Sequence, residues 1–205
     1  MNSGVRHALS SLISRVRANV TGEYSDRQAR QLYAMVVAQA RQAAFYEAGG
    51  VPDTMEGRFD MIVLHLCLVL RQLRGEDGAL MRAGQALFNA FCADMDGNLR
   101  EMGVGDLAVP KRMKKFGEAF YGRAAAYDEA LAATDDMTLC DVLARNVFGD
   151  VDVTDRAGAF AHYVRKVDQG LAALPREALL ALKWQFPVAE TLPERAAIVG
   201  GVHGH

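Results

Sequence analysis

Met61-Ile62-Val63-Leu64-His65-Leu66-Cys67-Leu68-Val69-Leu70 is the longest apolar run in a chain of 205 residues. Ten residues of helix rise about 15 Å, roughly half the hydrocarbon thickness of a bilayer. Arg58 and Asp60 bound the run on one side, Arg71 and Arg74 on the other. A segment too short to span a membrane, apolar on nearly every side and stopped by charge at both ends, is a helix at the centre of a globular core.

Working outward, helical signals dominate. Ser25-Asp26-Arg27-Gln28 is a capping-box pattern opening a helix to about Tyr46, and Gly49-Gly50-Val51-Pro52 stops it. Asp53-Thr54-Met55-Glu56 offers a second capping box, which opens the central helix and carries it to about Leu73. After the turn Gly75 to Gly78, a helix from about Ala79 to Met102 places Leu80, Leu87, Phe91, Met95 and Leu99 on one stripe. Gly103-Val104-Gly105 closes it with a left-handed cap. Pro110 suits the first turn of the next helix, where Val109, Met113, Phe116, Phe120, Ala124, Tyr127 and Leu131 recur at core spacing. Shorter helices follow over 135–148, 154–171 and 175–184. No alternating β pattern of useful length and no internal repeat interrupts this reading. The expectation is all-α, a single-domain bundle of about seven helices around a central apolar helix.

Composition agrees and narrows the function classes. Hydrophobic residues make up 51% and charged residues 23%, which is globular rather than disordered. Cys67, Cys92 and Cys140 are odd in number and never form a CxxC, which fits a reducing compartment and excludes a disulfide framework or a Cys-rich zinc site. The net charge of −2 gives no global attraction to DNA.

Several motifs fail on their own chemistry. Asp94-Met95-Asp96-Gly97-Asn98 begins like a calcium loop, but Leu99 and Gly105 stand where that loop needs Gly and Glu. Asp135-Asp136-Met137-Thr138-Leu139 lacks the third carboxylate that would hold magnesium over a diphosphate, and reads as a helix cap. Gly103-Val104-Gly105 follows a helix rather than a strand, so it is a turn and not a dinucleotide loop. His65, inside the apolar run, reads as a buried neutral imidazole bonded to a neighbour; as a haem or metal ligand it would need a partner such as His162. No nucleophile stands beside an evident base. The residues therefore point to no catalytic group, no metal and no cofactor. The alternative to a protein-binding role is a helical binder or enzyme for an apolar small molecule, a haem, a quinone or an isoprenoid.

One local conflict stands out. Residues 109–127 carry Lys111, Arg112, Lys114, Lys115 and Arg123 against Glu118 alone, for +4, between two acidic stretches. Four of these cations crowd the first turns of a helix, the positive end of its dipole, where each is unfavourable by about 0.3–1 kcal/mol. On the helical wheel Lys111 and Lys115 point away from the apolar stripe, and Arg112 and Arg123 flank it. This is either a solvated face or a docking surface for an anionic partner, such as a protein, a ribosome or a lipid headgroup. The first 22 residues contain no acid and carry Arg6, Arg15 and Arg17. Leu9, Leu12, Ile13, Val16 and Val20 share one face, as expected of an amphipathic basic helix over 1–24 that packs on its own domain, lies on a membrane through residues 9–20, or serves as a transit segment.

Ordered blocks carry a resemblance. Val51-Pro52-Asp53-Thr54 and Gly57-Arg58-Phe59-Asp60, then Val69-Leu70-Arg71, Gln85-Ala86-Leu87-Phe88, Asp94-Met95-Asp96, Leu99 through Leu107, Pro110 through Lys115 and Ala119-Phe120-Tyr121-Gly122-Arg123 resemble the ubiquinol–cytochrome c chaperone family. The similarity covers about residues 25–185, leaving 186–205 as a flexible tail. The resemblance implies an all-α, non-catalytic assembly factor for respiratory complex III that binds newly made cytochrome b. Mitochondrial members act on the matrix side, near the ribosome exit and with a small partner protein. A domain beginning near residue 25 favours a bacterial-type, cytoplasmic member over a matrix one. The matching blocks and the charge pattern together select Arg58, Phe59, Lys111, Arg112, Lys114, Lys115, Tyr121 and Arg123 as partner-binding residues.

Overall fold

A computed structural model describes residues 24–149 and 154–189. The helices are α1 (Asp26–Ala40), α2 (Ala43–Glu47), α3 (Met55–Gln72), α4 (Gly78–Glu101), α5 (Val109–Ala132), α6 (Met137–Leu143), α7 (Thr154–Ala172) and α8 (Arg176–Leu180), with a π turn at Ala144–Phe148 after α6. No strand occurs among the described residues. The expected all-α bundle is therefore the fold, and α3 is its centre: every residue from Met61 to Leu70 is buried, and the helix touches α1, α4, α5, α7 and the π turn. The expected N-terminal helix over 1–24 lies outside the described residues, apart from Tyr24.

The local signals explain most helix ends. Ser25 Oγ accepts from the Gln28 N–H at 3.2 Å while Gln28 Oε1 accepts from the Ser25 N–H at 3.1 Å, a reciprocal cap contributing about 1 kcal/mol. The helix expected to reach Tyr46 instead breaks at Arg41. Gln42 is extended, which directs the fully buried Phe45 into the core and sets the Gln42 amide 2.6 Å from Gln39 Oε1. The second capping box is also corrected: Thr54, not Asp53, caps α3, accepting from the Gly57 N–H at 3.1 Å, and Asp53 pairs with Arg58 at 2.6 Å. The helix over 135–148 tightens into α6 and then widens into the π turn, ending at Gly149 with φ +66°. The last helix stops at Leu180, short of Trp184.

A buried polar chain runs through the middle. His65 Nδ1 donates to the Met61 carbonyl at 2.8 Å, so Nε2 is the acceptor for the Tyr163 hydroxyl, also at 2.8 Å. Tyr163 in turn accepts from Gln39 Nε2 at 2.8 Å, and Gln39 also donates to the Pro187 carbonyl at 3.0 Å. Gln42 Oε1 accepts from the Ala189 N–H. The buried neutral imidazole expected from sequence is thus fully occupied at both nitrogens, and His162 is exposed rather than beside it. The same network fastens the first residues of the expected tail, and Phe186 stacks edge-on to His65 at 5.5 Å. The rest of that tail, from residue 190, lies outside the described residues.

Candidate docking groove

Helices α3 and α5 meet near their N-terminal ends, and an open groove of about 610 Å³ lies between them. Phe59 and Phe116, with ring centroids 5.3 Å apart, form its aromatic floor. Lys111, Arg112, Lys115 and Arg123 line it, with Ala108 and Ala119 leaving room between them. The floor is continuous with the core: Phe59 lies 6.3 Å from buried Phe91, which lies 5.8 Å from buried Phe120.

The placement of Phe59 follows from its local sequence. Gly57 sits in the first turn of α3 under the Val51-Pro52 bend, where a Cβ would come within 2.1 Å of the Pro52 carbonyl oxygen. Only glycine admits that approach, and it fixes the start of the helix one turn before Phe59. Asp60 Oδ1 then accepts from Arg123 Nη2 at 2.8 Å, tying α3 to α5 behind the groove. Burial raises the Asp60 carboxyl to about 6, Arg123 draws it down and Glu56 raises it further. The Arg123 Nε is buried and makes no hydrogen bond, so this guanidinium is held by one strong contact rather than a fork.

Three of the α5 cations keep their charge unpaired among the described residues. Ala108 supplies no side-chain cap, Pro110 fills the first turn, and no acid stands there. Lys111, Arg112 and Lys115 are exposed and have no ion pair among the described residues, whereas Lys114 lies 3.9 Å from Glu118. Helix dipole and side chains therefore add to one positive field over an aromatic floor, an arrangement that attracts an anionic segment bearing an apolar or aromatic side chain.

Of the residues selected from sequence, Phe59, Lys111, Arg112, Lys115 and Arg123 come together here. Lys114 sits on the other flank of α5. Arg58 turns away, bonded to Asp53 and set over the Tyr46 ring at 5.6 Å. Tyr121 packs between α4 and α5, 5.9 Å from Phe88, its buried hydroxyl without a hydrogen bond and its pKa pushed up to about 12 by burial. Phe116, assigned by periodicity to the core stripe, is half-exposed in the groove instead. The sequence signal for Asp60 and Gly57 was their place in the block with Arg58 and Phe59, and that for Ala119 its place in the block with Tyr121 and Arg123; nothing local marked Phe116 as a groove residue. A second groove, of about 470 Å³, runs between α1 and α4 over Ala29, Ala86 and Ala90, with Tyr33 bonded to Asp94 at 2.8 Å. Among the described residues no helix is long and apolar enough to cross a membrane, and no group of three or more metal-ligating side chains occurs.

Comparisons with known proteins agree on one relationship. The sequence profile of the family described as ubiquinol-cytochrome C chaperone matches residues 47–186. Ubiquinol-cytochrome-c reductase complex assembly factor 1 of Xenopus laevis is 28% identical over 155 residues, covering 74% of this chain and 76% of the relative. The Mus musculus protein of the same name is 28% identical over 81% of this chain, which spans 57% of that longer relative. The crystal structure of the Cbp3 homolog from Brucella abortus superposes with a TM-score of 0.74 at 34% identity, covering 94% of this chain and 99% of that one.

Proposed function

This chain belongs to the ubiquinol–cytochrome C chaperone family, and from that premise we propose that it is a non-catalytic chaperone for respiratory complex III that binds newly synthesised cytochrome b. The observation that carries the docking part of the reading is the groove between α3 and α5. It joins an aromatic floor to a cationic rim in a chain whose net charge is −2. A membrane client offers polar and acidic loops between apolar segments. Phe59 and Phe116 accept an apolar side chain from such a loop while Lys111, Arg112 and Lys115 neutralise its carboxylates. Because the rim charges are exposed, they set the rate and salt dependence of encounter, and the floor sets residence.

The place of action in this reading is the cytoplasmic face of a bacterial membrane, where the client emerges. The closely superposing Brucella abortus structure supports that choice over the mitochondrial matrix. The test is deletion in the native host, followed by quantitation of cytochrome b and assembled complex III. Selective loss of complex III, restored by the wild-type gene but not by the triple variant Lys111→Ala, Arg112→Ala, Lys115→Ala, is the expected result. No loss on deletion overturns the chaperone reading. Full restoration by the triple variant overturns the groove as its docking surface.

A further inference from the structure

The turn between α4 and α5 and the flank of α5 beyond it carry three side chains that client binding in the groove does not use, Met102, Leu107 and Lys114. α4 ends in a left-handed cap: Gly103 has φ +77°, its N–H bonds the Arg100 carbonyl at 2.9 Å, and the Val104 N–H bonds the Leu99 carbonyl at 3.0 Å. Met102 is left 60% exposed and Leu107 98% exposed, the most exposed large apolar side chain among the described residues. Neither lines the groove. A glycine-flanked tip that exposes a whole leucine to water has a solvation cost with no compensating contact in the folded chain.

The charges around the tip are arranged in a fan. Lys111, Arg112, Lys114 and Lys115 follow Leu107 within two turns, and about 100° per residue spreads them over an arc of about 160°. Lys114 stands on the flank of α5 away from the groove. The acids near the tip are Glu101, which is exposed, Asp106, which is held by Arg100, and Glu118, 3.9 Å from Lys114. The cations therefore outnumber the free acids at the tip although the whole chain is net negative.

We infer that this turn is a membrane-contact element, with Leu107 and Met102 entering the interfacial layer of an anionic bilayer and the fanned cations, Lys114 foremost, lying at the level of its headgroups. A protein partner would have to offer a pocket for Leu107 and acids matched one by one to diverging cations. A bilayer supplies both at once, an apolar layer beneath a laterally continuous negative surface. Each cation at such a surface strengthens partition about fivefold, and burial of the leucine adds roughly tenfold or more. Individually weak and jointly sufficient, these contacts hold the N-terminal end of α5 at the membrane. On the chaperone reading, they also hold the groove beside the place where a membrane client emerges.

The experiment is cosedimentation of the full chain with phosphatidylcholine vesicles, with and without phosphatidylglycerol, comparing wild type with the triple variant Met102→Ser, Leu107→Ser, Lys114→Ala. None of the three residues lines the groove or touches the core network. The expected result is partition to the anionic vesicles only, released by salt and lowered tenfold or more in the triple variant, with thermal melting and client capture unchanged. Equal partition of wild type and variant places any membrane contact elsewhere, residues 9–20 included, and overturns the inference. Equal partition to neutral and anionic vesicles, or to neither, also overturns it. A variant that ignores both vesicles and loses client capture assigns the turn to a protein partner. The client reading is scored separately by client capture without vesicles, which does not involve Met102, Leu107 or Lys114.

Discussion

Replacing His65 with leucine should remove a specific acid sensitivity from the fold. The imidazole is fully buried, and burial lowers its pKa from 6.5 to about 4. The unfolded chain therefore takes up the proton first as pH falls. His65 costs the folded state nothing above 6.5 and progressively more below it, and the loss is complete near 4. The full shift is worth about 3 kcal/mol at about 1.36 kcal/mol per unit. Between pH 7.5 and pH 5 the same two pKa values give a loss of about 2 kcal/mol. The substitution also leaves the Tyr163 hydroxyl without its acceptor, a cost of about 1–3 kcal/mol that is the same at both pH values. Urea unfolding of wild type and His65→Leu at pH 7.5 and 5 separates the two effects. The single tryptophan, Trp184, is buried against Phe186, which packs on His65, so its fluorescence reports the relevant region. The variant should start less stable and lose about 2 kcal/mol less than wild type on acidification. Equal losses in the two proteins would refute the assignment of His65 as a neutral, pH-limiting group.

Gly57→Ala should destabilise the protein by about 1–3 kcal/mol, because the new Cβ meets the backbone of Pro52 rather than a movable side chain. Gly97→Ala, with open space around it in α4, is the control and should be neutral or stabilising in a thermal melt. Asp60 works opposite to His65: burial raises its pKa from 3.8 to about 6, so the folded state gains the proton first and gains relative stability as pH falls from 8 through 6 toward 4. The stability of wild type minus that of Asp60→Asn should therefore rise on acidification in paired denaturant titrations, and a flat or falling difference would show that Arg123 outweighs burial at this carboxylate.

The fold was legible wherever the deciding interactions are local. The apolar run at Met61 to Leu70, the Ser25–Gln28 capping box and the glycine stop after Met102 each act over a few residues, and each has the structure its spacing dictates. The failures are equally physical. Asp53 looked like a cap, but Arg58 competes for it and Thr54 is one residue better placed. The break at Arg41 has no local breaker; it is driven by the burial of Phe45 and by the bond from Gln42 to Gln39. Phe116 has core periodicity, but it packs on Phe59 at the edge of the core and stays half-buried there.

The class of fold, the central helix, the family relationship carried by ordered blocks, and the cations that break a helix-dipole rule are all written in the order of the residues. Which of those cations face Phe59 across a groove, the pairing of Arg123 with Asp60, and the bond from His65 to Tyr163, 98 residues away, emerge only from the packed helices. Helical periodicity and caps are set by interactions within about one turn, which the order of residues encodes directly. Contacts between helices depend on how α3, α5 and α7 are rotated and offset when they bury their shared faces, and that is fixed by the packing of the whole core at once.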